Sequence, residues 1–207
     1  MAAKEAVNKT TRDDLEVLKN SGTLEGFYLG GGTGLAFLLS HRQSRDLDFF
    51  RKTSFNERRL VENLRKAGSF SLEKKEIGTI RGLFRNTLAS FFYYPYPLLK
   101  KPVDSGGIQI ASLIDIVCMK LDAISSRGAK RDFIDVYAVL TQTNLSLPQI
   151  FNAFRKKYAA QNPNLMHIKK SLLYFEDADR DPTPKMFIPA DWKAVKEFFI
   201  TEIKKLK

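Results

Sequence analysis

The chain has 207 residues, 43% hydrophobic and 28% charged, and its 34 Lys+Arg against 23 Asp+Glu leave a formal charge of +11. Sixteen Phe and seven Tyr against eight Pro supply enough apolar surface to exclude disorder as the main state, and the single Cys118 excludes a disulfide scaffold. No apolar run approaches the ~20 residues of a membrane helix, and residues 1–10 are too polar for a secretory leader, so a reducing, cytoplasmic setting without membrane association is expected.

The positive charge is uneven. Residues 51–110 hold 12 basic against 5 acidic side chains and residues 151–207 hold 12 against 7, whereas residues 1–50 (6 against 7) and 111–150 (4 against 4) are near neutral. A mixed-charge centre flanked by basic segments suits the gathering of a polyanion, although an ordinary lysine-rich surface has the same composition.

In chain order, Thr11 as a cap with Asp13 and Asp14 in the first turn predicts a helix to Asn20, with Leu15 and Leu18 on one face. Residues 27–29 read as a short strand stopped by Gly30-Gly31-Gly32. Leu35, Leu38 and Leu39 then mark a helix ending near Ser40 or His41. Leu47, Phe49 and Phe50 mark a second strand, and residues 55–66 a helix burying Phe55, Leu60 and Leu64. The period changes to strands at 69–72, 79–84 and 88–94, with a bulge expected at Gly82 and Pro95 and Pro97 ending the block. Ser112 and Asp115 form an imperfect capping box for a helix running to Gly128, and another helix runs from near Lys130 to Leu140. From Pro148 the pattern is helical to the end, interrupted by an Asp-rich turn at 176–184. The expected fold class is α+β: a small mixed β-sheet flanked by helices, then a helical C-terminal part, divided near residue 105.

The chemistry concentrates in residues 28–50. A strand feeding a helix through glycines offers backbone N–H groups to a phosphate at a helix N-terminus, and Thr33 adds a hydroxyl. The Lys of a P-loop is absent, and a dinucleotide fingerprint leaves Asp46 unexplained. Asp46 and Asp48, two apart in a strand, point to the same face, where their repulsion calls for a cation or a proton. Mg²⁺ held by carboxylates and substrate phosphates is the common solution.

Together these residues resemble the AbiEii/AbiGii toxin family of nucleotidyltransferases, within the DNA polymerase beta superfamily. The first motif of that family reads here Gly31-Gly32-Thr33 and then Arg42-Gln43-Ser44-Arg45-Asp46-Leu47-Asp48-Phe49-Phe50; the second runs from Lys120 through Arg127 and Arg131-Asp132 to Asp135-Val136-Tyr137. The resemblance implies residues 1–105 as a nucleotidyltransferase core and 106–207 as a helical part that completes the site. It implies Mg²⁺ (or Mn²⁺) on Asp46 and Asp48, and catalysis by these two with Lys120 and Asp135. Asp135 would orient the lysine or the incoming nucleotide. The NTP would be bound by Gly31, Gly32, Thr33, Arg42, Ser44, Lys120, Arg127, Arg131 and Asp132. The implied acceptor is an RNA such as a tRNA 3′ end, and the implied partner is a cognate antitoxin.

One departure stands out. Relatives in the superfamily often carry a third carboxylate on a later strand, as general base toward the acceptor hydroxyl; here residues 88–94 hold no acid, and Ser90 stands where it would be. Two alternatives therefore stay open: a catalytically impaired nucleotide- or nucleic-acid-binding module, and a transferase acting on a protein or small molecule. Arg127, Arg131, Asp132 and Asp135 also suit an ion-pair network between two helices. His41 reads as a helix-end residue or a phosphate contact, residues 91–96 as a core strand or a base-stacking surface, and Cys118, His167 and Trp192 as structural.

Overall fold

A computed structural model describes residues 6–189 and 191–206; residues 1–5 of the polar N-terminal stretch lie outside the described residues. The chain runs α1 (Lys9–Asn20), β1 (Tyr28–Leu29), α2 (Gly31–Leu39), β2 (Leu47–Arg51), α3 (Glu57–Ala67), and the meander β3 (Phe70–Glu76), β4 (Thr79–Phe84) and β5 (Thr87–Tyr93). A hairpin follows, β6 (Val103–Ser105) and β7 (Ile108–Ile110), and then α4 (Leu113–Arg127), α5 (Lys130–Gln142), α6 (Leu147–Lys157), α7 (Leu165–Ser171), α8 (Glu176–Arg180) and α9 (Trp192–Lys204).

The strands form one mixed seven-stranded sheet in the order β3-β4-β5-β2-β1-β7-β6. β2 is its hinge, antiparallel to β1 and parallel to β5. The division expected near residue 105 falls inside the β6–β7 hairpin, and the sheet continues to Ile110 because β7 pairs in parallel with β1. Leu47, Phe49, Ala89, Phe91, Ile80 and Phe84 line one face and pack with Leu60, Val61 and Leu64 of α3 and Leu15 and Leu18 of α1. At about 1.5–3 kcal/mol for each such side chain fully buried, this layer fixes the strand registers on which the site depends.

Three sequence expectations change. Asn8, not Thr11, caps α1: its Oδ1 accepts from Thr11 N at 2.8 Å, while the buried Thr11 hydroxyl donates to the Arg45 carbonyl at 3.1 Å. The bulge lies in β3, between Leu72 and Lys74, opposite Gly82. Gly82 is required because a Cβ there would stand 2.3 Å from the Ser71 carbonyl oxygen. Part of the Asp-rich turn is helical, as α8. The imperfect capping box stands: Ser112 Oγ accepts from Asp115 N at 3.2 Å and donates to Asp115 Oδ2 at 2.6 Å, while the same carboxylate also accepts from Leu99 N, Lys100 N and the buried Lys157 Nζ (2.8 Å), tying the loop after β5 and helix α6 to the start of α4.

Candidate active site

The alternation of β2 sends Leu47 and Phe49 into the core, so Asp46 and Asp48 face the other side, both half-buried. Gly30 N–H donates to the Asp48 carbonyl at 2.9 Å, which lays the glycine turn along the strand. Gly31, at φ +60°, then lies directly against the acid: a Cβ there would be 2.5 Å from Asp48 Oδ2. Gly32 is equally confined, since a Cβ would meet Arg42 Nη2 at 2.3 Å and Ser44 Oγ at 3.0 Å. The glycines thus serve two ends: they admit the carboxylate and the guanidinium, and they begin α2 with N–H groups that have no intrahelical acceptor.

Across from this turn, α4 and α5 supply the cations. Lys120 Nζ donates to Asp132 Oδ1 (2.8 Å) and pairs with Asp135 Oδ2 (2.7 Å). Asp135 also receives Arg42 through both oxygens, Nε to Oδ1 at 2.6 Å and Nη2 to Oδ2 at 2.8 Å, and lies 2.6 Å from His41 Nε2. Asp132 receives Arg127 as well, Nε to Oδ2 at 2.9 Å. His41, Asp132 and Asp135 are fully buried. Burial alone would raise the Asp135 carboxyl, but Arg42, Lys120 and His41 hold it well below the usual carboxylate range. Charge-assisted contacts of this kind lock Lys120 and Arg42 into single rotamers before any ligand arrives.

The result is a cleft of about 710 Å³. Of the sequence-derived site residues, Gly32, Arg42, Ser44, Asp46, Asp48, Lys120, Arg127 and Arg131 line it. Thr33, Asp132 and Asp135 do not reach it; each is fully buried and holds a residue that does. Thr33 Oγ1 bonds Ser44 Oγ at 2.8 Å and donates to the Asp46 carbonyl, fastening α2 to the segment before β2. Gly31 is likewise a spacer for Asp48 rather than part of the wall. The ion-pair network and the site are therefore one structure.

Sequence reasoning missed several contributors. Arg45, Arg81 and Leu88 line the cleft, as does the segment 181–185, and from the 91–96 stretch Phe92 also lines it. That segment is held by long-range backbone bonds, Gln43 N to Lys185 O and Phe187 N to His41 O, both 2.8 Å. Asp181 Oδ2 also accepts from Lys130 N at 3.0 Å, at the start of α5. Only Pro182 and Pro184, which disfavour helix, hinted at an extended strap there.

Asp46 and Asp48 are suited to a hard divalent cation. Burial pushes the Asp48 carboxyl above the ordinary value, Asp46 adds to the rise, and Lys120, Arg131 and Arg127 draw it back. Among the described residues no group of three or more His, Cys, Asp or Glu could hold a metal, so these two carboxylates would leave most ligand positions to substrate phosphates and water, as Mg²⁺ prefers. Ser90 pairs with Asp48 in the β2–β5 register and is buried beside it.

The glycine turn, Asp46, Asp48 and the helical Lys120 are thus brought together around one cleft. The sequence profile described as nucleotidyl transferase AbiEii toxin, type IV TA system, matches residues 13–97 and 93–205, and the chain belongs to that family of nucleotidyltransferases. An uncharacterized protein of Aquifex aeolicus, aq_aa25, is 35% identical over 212 residues, covering 96% of each chain. The fold is similar to MenT4, a nucleotidyltransferase toxin of Mycobacterium tuberculosis (TM-score 0.57, 13% identity, 97% of this chain and 87% of that one). It is also similar to JHP933 from Helicobacter pylori (TM-score 0.53, 15% identity, 97% and 94%). No helix among the described residues is long and apolar enough to cross a membrane.

Proposed function

We propose that the chain transfers a nucleoside monophosphate from an NTP to the 3′ hydroxyl of an RNA, with Mg²⁺ or Mn²⁺ on Asp46 and Asp48, as the toxin of a pair with a separate antitoxin. One observation carries this reading: Asp46 and Asp48, two carboxylates with no side-chain hydrogen-bond or ion-pair partner among the described residues, line one cleft with Gly32 and Lys120, and Asp48 lies against Gly31. The tRNA 3′ end as acceptor and the antitoxin are supported by the family alone.

The divalent ion supplies neutralisation of the phosphate charge. The α2 N-terminus receives phosphate oxygens through its free N–H groups. Lys120 and Arg42, already fixed by Asp132 and Asp135, present preorganised positive charge to the triphosphate, so no reorganisation is required when negative charge develops on the leaving pyrophosphate. The acceptor oxygen forms its bond to the α-phosphorus as the bond from that phosphorus to pyrophosphate breaks. The hydroxyl proton leaves to solvent or phosphate, because Ser90 can orient the hydroxyl but not take its proton.

The same serine favours a second reading, a binding module that has lost turnover. Incubation with each of four α-labelled NTPs, Mg²⁺ or Mn²⁺ and total RNA separates the two. Label in RNA with released pyrophosphate, lost in Asp46→Ala and Lys120→Ala, supports transfer. NTP binding without pyrophosphate supports the module, and label in protein redirects the acceptor.

A further inference from the structure

We propose that the open face of the β3–β4–β5 wing is the track for the 3′ end of a single-stranded RNA acceptor, with Phe92 as its base platform and Arg81 and Lys74 as its phosphate contacts. The assignment rests on the transfer reading above and names the surface that delivers the acceptor to that site.

The strand register builds this track. Asp48 pairs with Ser90, Ser90 with Arg81, and Arg81 with Lys74, so one row crosses four strands on one face. At about 4.8 Å between strands, Arg81 stands about 10 Å and Lys74 about 14 Å from the Asp48 position. Adjacent rows bring Phe92 beside Phe50 and Leu83 beside Leu88. The face is continuous with the cleft, whose lining includes Arg81, Leu88 and Phe92.

The composition of the face names the occupant. Helices α1 and α3 cover the opposite side, where Ile80, Phe84, Ala89 and Phe91 are buried. The uncovered side of such a sheet ordinarily alternates to polar residues. Here Leu83 is 41% exposed, and Leu88 and Phe92 are half-buried. Phe92 is held flat by stacking on Phe50 at 5.2 Å, which presents a rigid ring. Arg81 and Lys74 pair only with exposed Glu73 (3.4 Å) and Glu76 (3.0 Å) among the described ion pairs, and such pairs give way readily to phosphate. Aromatic and apolar surface interleaved with exchangeable cations fits stacked bases on a phosphate backbone. The carboxylates at one end repel phosphate, so the backbone lies over Arg81 and Lys74 and the terminal hydroxyl over Ser90.

The test uses the full chain and a fluorescein-labelled 12-nucleotide single-stranded RNA in fluorescence anisotropy at fixed salt, with a fluorescent NTP analogue and Mn²⁺ titrated separately. The double variant Arg81→Glu/Lys74→Glu is expected to weaken RNA binding at least tenfold. A double variant carrying the same charge change on other surfaces, Arg58→Glu/Lys193→Glu, should change it less than twofold. Phe92→Ala is expected to lose about tenfold, the size of one stacked base. Equal RNA binding by the two double variants would overturn the proposal, as would a wild type that labels a protein and binds no RNA. A wild type that binds RNA through this face but binds no NTP would sink the transfer reading and leave the track standing. The surface double variant keeps the test decisive if Phe92→Ala fails to fold.

Discussion

Replacing Asp135 by alanine strands cations in the interior. The carboxylate holds Arg42 by two bonds (2.6 and 2.8 Å), Lys120 at 2.7 Å and His41 at 2.6 Å, with no solvent exposure. Removing one partner of a buried ion pair costs about 3–5 kcal/mol because the other charge is left uncompensated. Lys120 keeps Asp132 at 2.8 Å, but Arg42 has no other carboxylate bonded to it among the described residues, so the full range applies. For a chain of this length each kcal/mol moves the midpoint by about 2–4 °C, which gives a fall of about 6–20 °C. The pH dependence has a definite sign. The folded carboxyl is held well below its unfolded value, so its stabilisation is complete above pH ~4 and is lost as pH falls through the folded pKa. Urea titrations of both proteins from pH 7 down to pH 3 should therefore show the gap narrowing under acid. A difference below about 1 kcal/mol at pH 7, or one that stays constant to pH 3, would refute the reasoning.

Asp48→Asn should raise the metal-free melting temperature at neutral pH and abolish any Mn²⁺-induced increase. The folded carboxyl is raised by burial, so its charged form disfavours the folded state above that pKa; a lowered midpoint in differential scanning fluorimetry would contradict this. Gly31→Ala combines a left-handed backbone, costing about 1–2 kcal/mol, with a methyl 2.5 Å from Asp48 Oδ2, so nucleotide labelling should fall more than tenfold; wild-type labelling would remove Asp48 from its stated position. Burial pushes the Cys118 thiol up to about 12, so at pH 8 it should resist a disulfide reagent until urea unfolds the chain; rapid reaction of the native protein would count against its burial.

Much of the site is legible because its signals are local. The Gly30–Gly32 turn and the Asp46–Asp48 pair lie within one strand–helix–strand unit, and β4 is bounded as the alternation 79–84 predicts. The β6–β7 hairpin escapes because its strands are three residues long around Gly106-Gly107, too short for alternation to register. His41 and Asp135 meet across 94 positions, and Lys185 meets Gln43 across the whole molecule; no spacing rule connects such residues. Thr33 misleads for a related reason: a hydroxyl beside glycines reads as a phosphate contact, but here it faces inward to Ser44 and the Asp46 carbonyl.

The account depends most on Asp46 and Asp48 acting together on a divalent ion at the glycine turn. Mn²⁺ binding in the presence of a non-hydrolysable NTP analogue, followed by electron paramagnetic resonance, tests this directly. Wild type should bind the ion with the nucleotide, and Asp46→Ala and Asp48→Ala should each lose it while remaining folded by circular dichroism. Undiminished Mn²⁺ binding in either folded variant would contradict the account.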